Sequence, residues 1–110
     1  MVTSLGRVTF LDALREWFSS YSEIGGRREV QVEFDESPQD RGKRSVWIKV
    51  DGKSAMGQMT LWESGECNTD AVAKDGSTVL LLRERVLSSP MLVAAVADDL
   101  VDHVADYSRT

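Results

Sequence analysis

Three short turn signals divide the middle of the chain into segments that must form antiparallel strands. The dipeptides Asp51-Gly52, Ser64-Gly65 and Asp75-Gly76 each separate two stretches in which apolar and polar residues alternate. Alternation with a period of two is typical of a half-buried strand. Asp-Gly favours a two-residue type I′ turn, because both central residues need positive φ. The pattern therefore predicts consecutive hairpins over residues 45–86.

The first Asp-Gly turn predicts the register of its hairpin. A two-residue turn places Val50 opposite Lys53 and Ile48 opposite Ala55. Because a one-residue slip would exchange the two faces, this turn also decides which side chains share a face. The predicted apolar face contains Val46, Ile48, Val50, Ala55, Met59 and Leu61. The predicted opposite face contains Trp47, Lys49, Met56, Gln58, Thr60 and Trp62.

The next two turns predict the rest of the sheet. Gly65 suits the left-handed position of a three-residue loop, which places Thr60 opposite Asn68 and Trp62 opposite Glu66. The last turn places Val72 opposite Val79. With continued alternation the same register gives Asp70 opposite Leu81, Asn68 opposite Arg83, and an oppositely charged pair, Glu66 and Arg85. The predicted apolar side of this hairpin contains Cys67, Thr69, Ala71, Leu80, Leu82 and Val86.

Helices are predicted at both ends of the chain. Apolar residues recur every three or four positions between Thr9 and Ser22, with Thr9 as a capping residue and Gly25-Gly26 as the end. A second apolar stripe follows Ser89 and Pro90, which suit an N-cap and a first helical position. With an acidic strand around residues 29–35, the order is α-β-β-β-β-β-α. We predict one α+β domain, residues 1–110, whose five-stranded meander carries both helices on its apolar face, the face of Val46, Ile48, Leu61, Leu80 and Leu82.

Composition and charge narrow the class of function. The 110 residues carry 18 acidic and 13 basic side chains, a net charge of −5. Nucleic-acid binding needs a concentrated basic surface, so a nucleic-acid partner is not expected. No stretch is apolar enough to span a membrane or resembles a signal peptide, and the single cysteine excludes an internal disulfide. We therefore expect a cytoplasmic protein with no membrane partner.

The candidate catalytic residues lack chemical partners at recognisable spacing. His103 lies at the border of the last apolar stripe, where a packing role is the simplest interpretation. Cys67 is predicted to point to the covered side, where a thiol is inert. The aspartates of the last helix, from Asp98 to Asp106, lie on one helical face and are typical of a solvated surface rather than a metal site. We expect no catalytic residue, no metal and no cofactor, and hence no enzyme.

The uncovered face of the sheet is the predicted functional surface. Trp47, Met56 and Trp62 share this face with Glu66 and Asp70, and Val72, Val79 and Leu81 are predicted beside them. A contiguous apolar patch with a charged rim is typical of a protein-binding surface. Tryptophan is a frequent anchor at interface centres. Two alternatives remain open, because a homodimer or the loop over residues 35–44 would also cover the patch.

The stretch GQMTLWESGEC, followed by a second hairpin and a helix that opens with SSP, resembles bacterial immunity proteins of the TriTu type. The resemblance extends from Val46 to Tyr107. It implies a non-enzymatic cytosolic protein that binds and blocks a cognate toxin domain, and many such toxins are basic nucleases. A small acidic chaperone for a secreted effector is the alternative. The partner's state distinguishes them, since an immunity protein binds a folded domain and a chaperone binds an extended segment.

Overall fold

The computed structural model describes residues 8–23, 30–38 and 42–107. The predicted end of the first helix at Gly25-Gly26 lies outside these residues. Within them, no helix is long and apolar enough to cross a membrane. In chain order the elements are α1 (Phe10–Glu23), β1 (Gln31–Glu36), β2 (Ser45–Asp51), β3 (Ala55–Trp62), β4 (Glu66–Ala73), β5 (Val79–Val86), a 3₁₀ turn (Pro90–Leu92) and α2 (Val93–Tyr107).

The five strands form one antiparallel sheet in the order β1-β2-β3-β4-β5. Each strand pairs with its neighbour in the chain, as short hairpin connections require. Both helices pack on the same face, where α2 lies over β3 and β4 and α1 contacts β1, β2 and β3. The predicted α+β architecture is confirmed.

The β2–β3 hairpin has a longer connection than the predicted two-residue turn. Val50 pairs with Gly57 and Ile48 pairs with Met59, a shift of four residues from the predicted partners. Gly52 does not have positive φ, and its N–H donates to the carbonyl of Ala55 at 2.9 Å. The predicted type I′ turn and register are wrong. The predicted faces are nevertheless correct, because an even shift leaves every side chain on its own side of the sheet.

The β3–β4 hairpin matches its prediction. Thr60 lies opposite Asn68 and Leu61 opposite Cys67. Gly65 has a φ of +100°, and its N–H donates to the carbonyl of Trp62 at 2.9 Å. A side chain at this position would be strained in the left-handed region, so the glycine determines this turn.

The β4–β5 hairpin contains a bulge that the alternation does not reveal. Val72 pairs with Val79 as predicted, but Ala71 pairs with Leu81, which leaves Leu80 as an extra residue. Every later side chain of β5 is consequently moved to the other face. Leu81 is buried in the core and Leu82 is 73% exposed, the reverse of the prediction.

The same bulge changes the predicted cross-strand pairs of β5. Glu66 lies opposite Val86 rather than Arg85, so the predicted Glu66–Arg85 ion pair is wrong. Val86 is 71% exposed and does not join the apolar side with Cys67.

Both predicted helix starts are confirmed. The backbone N–H of Asp12 donates to Thr9 Oγ1 at 3.0 Å, which caps α1. The N–H of Met91 donates to Ser89 Oγ at 3.2 Å, although the first turn after Pro90 is 3₁₀ before α2 begins. The two helices are joined where Trp17 Nε1 donates to Asp98 Oδ1 at 2.9 Å.

The core lies between the sheet and the helices. Its largest fully buried side chains are Leu14, Val46, Ile48, Val50, Met59, Leu61, Cys67, Thr69, Val93, Leu100 and Val104. Gly57 allows α2 to approach β3 closely, since a Cβ at this position would lie 2.7 Å from Leu100 Cδ1 and 2.8 Å from the carbonyl oxygen of Asp70. With one face of the sheet covered in this way, the other is left for contact with solvent or a partner.

Candidate functional site: the open face of the sheet

The face of the sheet opposite the helices, called here the open face, collects side chains from all five strands. The registers of the four strand pairs place these side chains in three cross-strand rows. The rows are Gln31–Asp51–Met56–Val72–Val79, then Glu33–Lys49–Gln58–Asp70–Leu82, then Asp35–Trp47–Thr60–Asn68–Glu84. Trp62 and Glu66 continue β3 and β4 beyond the third row. All five residues predicted to bind a partner, Trp47, Met56, Trp62, Glu66 and Asp70, therefore lie on this face.

The two tryptophans are half-buried, whereas the methionine is more exposed. Trp47 lies opposite Thr60 on β3, and Trp62 lies two residues further along the same strand. Met56 is 48% exposed and lies opposite Val72. Of these three side chains Met56 is therefore the most accessible to a partner, and the tryptophan rings are partly covered by their neighbours.

The bulge in β5 changes the apolar part of this surface. Leu81, predicted to lie beside the tryptophans, points into the core. Leu82 takes its place on the open face, opposite Asp70. Val79 is 63% exposed at the end of the row that contains Met56 and Val72. The run of three leucines in β5 contained the signal for a bulge, since strict alternation cannot bury two adjacent leucines on one side.

Glu66 is paired within the chain. Its carboxylate accepts a hydrogen bond from Lys43 Nζ at 2.6 Å and another from the hydroxyl of Ser64. These donors, Lys43 first, lower the pKa of Glu66 to about 2. The glutamate and Lys43 form the end of a shallow hollow that Trp62, Asn68 and Glu84 also line. Sequence reasoning missed Lys43, because it reaches Glu66 from a loop that precedes β2.

Asp70 lies at a different part of the open face and is unpaired within the described ranges. It lines a hollow of about 420 Å³ together with Met56, Gln58 and Val72, and with residues of β1 and β2. Partial burial raises the pKa of Asp70. A carboxylate that lacks an internal cation while it loses some of its hydration would be stabilised by a cation supplied from outside.

The charges of the open face are mostly negative. Six acidic residues lie on it, Glu33, Asp35, Asp51, Glu66, Asp70 and Glu84, against the single lysine of its rows, Lys49. Lys74 Nζ lies 2.8 Å from Asp51 Oδ1, so this acid, like Glu66, is compensated from a neighbouring loop. The remaining acids give the face a negative potential.

The residues considered for catalysis lie apart from the open face. Nδ1 of His103 lies 2.8 Å from the carbonyl oxygen of Asp99, one turn earlier in α2. Cys67 is fully buried on the helix side, and this burial raises its pKa to about 11. A thiol in such surroundings is a poor nucleophile at neutral pH. Over the part of the chain that the structure describes, no three His, Cys, Asp or Glu side chains are grouped to hold a metal ion.

The fold defines a small α+β protein whose two helices cover one side of a five-stranded sheet. A family model described as immunity protein TriTu matches residues 12–102, from the first turn of α1 to the last turns of α2. The chain therefore belongs to the TriTu immunity protein family, a family of toxin-neutralising proteins that are generally non-enzymatic and act on a protein partner. A search of curated proteins finds no significant match. The resemblance found in the sequence is confirmed.

Proposed function

We propose that this protein binds one cognate toxin domain through the open face and neutralises it by occupying the toxin's functional surface. The observation that carries the proposal is that, among the described residues, both helices lie on one side of the five-stranded sheet, while the other side displays Met56, half-buried tryptophans and the carboxylate of Asp70. Apolar centres with charged rims are typical of protein interfaces. Neutralisation then requires binding alone and no catalytic step by this chain.

The partner is proposed to be a basic toxin domain in the cytoplasm. The chain carries a net charge of −5, and the open face has six acids against the lysine of its rows. Opposite charges on two partners speed their encounter and suppress binding to other acidic proteins. Asp70 is the acid best placed for this role, since it lines the hollow beside Met56 and has no cation in the described structure.

The test is a binding measurement with a folded cognate toxin domain, to be sought among the genes that neighbour this one. Met56→Ala and Trp62→Ala should each weaken binding by about 10-fold or more, the cost of losing a central contact worth about 1.4 kcal/mol or more. Met91→Ala is the matched control, because Met91 is 88% exposed in the 3₁₀ turn and lines a hollow with Trp17 and Ala94 of the two helices rather than the open face. Unfolding temperatures of all three variants, measured without the toxin, separate a binding defect from a folding defect.

Two outcomes would contradict the proposal. If Met91→Ala weakens binding while Met56→Ala and Trp62→Ala do not, the toxin binds the helix side. If all variants bind the folded toxin poorly but capture an extended segment of the secreted protein, the chain is a chaperone rather than an immunity protein.

A further inference from the structure

One hollow of the open face contains a carboxylate whose charge is not balanced by a lysine of the chain. The hollow, of about 420 Å³, lies over β3 and reaches from β1 to β4. Three acids among the described residues line it, and two of these have a lysine close by. Asp51 Oδ1 lies 2.8 Å from Lys74 Nζ, and Glu33 lies opposite Lys49 in the strand register. Asp70 is the acid that remains.

Apolar side chains lie on two sides of Asp70. Leu82, opposite it on β5, is 73% exposed. Val72 follows Asp70 on the same face of β4, and Met56 lies opposite Val72 and lines the hollow with it. Partial burial raises the pKa of Asp70, so its carboxylate has lost some of its hydration. A group that fits this place combines an apolar stem with a cationic end, as the long basic side chains do.

Gln58 supplies a second acceptor beside this carboxylate. It lies directly opposite Asp70 on β3, which places their Cβ atoms about 4.5–5.5 Å apart. Its Nε2 donates to Thr60 Oγ1 at 3.2 Å, and no described residue donates to its Oε1. Two open acceptors, one of them charged, fit a guanidinium, which carries five donors in a planar fork and no acceptor. The ammonium of a lysine is more strongly hydrated and lacks this fork.

We propose that the hollow binds the side chain of one arginine of the toxin domain, with the guanidinium on Asp70 and Gln58 and the stem against Met56 and Val72. This inference rests on the proposed function, in which the toxin contacts the open face, and it adds the chemistry of one contact. It gives Asp70 a contact that persists in the complex, in addition to any effect of its charge on the encounter.

The first test uses a small probe and the free chain. N-acetyl-arginine amide is titrated into the isotopically labelled protein, and the backbone amide shifts are followed by NMR. Saturable shifts are expected around Gln58 and Asp70, with a dissociation constant in the millimolar range because the probe is small. N-acetyl-citrulline amide, which is neutral and similar in shape, and N-acetyl-lysine amide should each bind at least about 10-fold more weakly.

Two matched variants locate the binding of the probe. Asp70→Asn keeps the size of the side chain and removes its charge, and it should weaken binding of the arginine probe by about 10-fold. Glu66→Gln is the control and should leave binding unchanged, because Glu66 lies on the same face of the same strand but is already paired with Lys43. Unfolding temperatures show that both variants are folded. The inference is overturned if the arginine probe gives no saturable shifts at the hollow, if the lysine probe binds as tightly, or if the two variants respond alike.

The second test, with a folded cognate toxin domain, separates this inference from the proposed function. Asp70→Asn should raise the dissociation rate by about 10-fold, because a lost contact acts on dissociation whereas lost steering acts on association. If Met56→Ala and Trp62→Ala weaken toxin binding while Asp70→Asn leaves the dissociation rate unchanged, the arginine contact is wrong and the proposed function stands. If the probe binds the hollow but none of these three substitutions affects toxin binding, both are wrong.

Discussion

Lys43 Nζ lies 2.6 Å from Glu66 Oε2, so this carboxylate of the open face is already neutralised within the chain. Asp70, the other acid predicted to surround the tryptophans, has no ion-pair partner among the described residues. The two acids were equivalent in the sequence. The structure makes Asp70 the one that is available to a cation on a partner.

The difference between these acids predicts a difference in association rate. Asp70→Asn should slow association with a basic toxin several-fold at low salt and reduce the dependence of the rate on salt, because a free charge near an interface steers encounter. Glu66→Gln should change the rate less, since Lys43 already compensates Glu66. Stopped-flow association rates measured over a series of salt concentrations decide this. Equal effects of the two substitutions would contradict it.

The buried hydroxyl of Thr69 predicts that its replacement by a methyl group stabilises the protein. Its side chain is buried beneath the helices, and its Oγ1 has no hydrogen-bond partner within the described structure. Thr69→Val replaces the hydroxyl by a methyl of similar shape and should raise the free energy of unfolding by about 1 kcal/mol. Urea unfolding measures the change. Thr60→Val is the control and should not stabilise, because Thr60 Oγ1 lies on the open face and accepts a hydrogen bond from Gln58 Nε2 at 3.2 Å.

The close packing around Gly57 predicts that adding a single methyl group there lowers the free energy of unfolding. Gly57→Ala would place a methyl 2.7 Å from Leu100 Cδ1, so the free energy of unfolding should fall by about 1–3 kcal/mol through overpacking. Leu100→Val removes that Cδ1 atom at some cost of its own. Denaturant unfolding of both single variants and the double variant should show the double variant less destabilised than the sum. Strict additivity would show that α2 does not press on β3 at this point.

The buried thiol of Cys67 predicts that the stability of the folded state decreases at alkaline pH. Burial raises the thiol pKa from an ordinary value of 9.0 to about 11, so the folded state holds its proton more tightly than the unfolded state. The resulting stabilisation, about 2–3 kcal/mol, is fully present below pH 9 and is lost as the pH rises from about 9 to 11. Unfolding curves between pH 8 and 11 should show this loss in the unmodified chain beyond any loss in Cys67→Ala.

The same burial predicts slow chemical labelling of the thiol. A thiol reagent at pH 8 should modify Cys67 at once in urea and only slowly in the native protein. Rapid labelling of the native chain would show that the helix side opens readily at β4.

The order of helices, strands and turns was predictable from the sequence because it depends on interactions between residues that are close in the chain. Turn residues such as Gly65, and caps such as Thr9 and Ser89, act through their own backbone or through bonds to residues two or three positions away. The alternation along β2 and β3 then assigned Trp47, Met56 and Trp62 to one face even though the predicted register was wrong by four residues. A register error of an even number of residues leaves each side chain on its own face of the sheet. The predicted location of the candidate site was therefore correct.

Tertiary structure decided which of these surface residues are accessible and which charges are free. The extra residue at Leu80 is required because Leu81 has to fill the core beneath α2, and this packing cannot be inferred from alternation within β5. The bulge then turns Leu82 to the open face. Likewise, Lys43 meets Glu66 across 23 positions of the chain only because the sheet brings the loop before β2 close to the start of β4. Periodicity is a property of neighbours in sequence, whereas packing and ion pairing depend on neighbours in space, and this is why the first was predictable and the second was not.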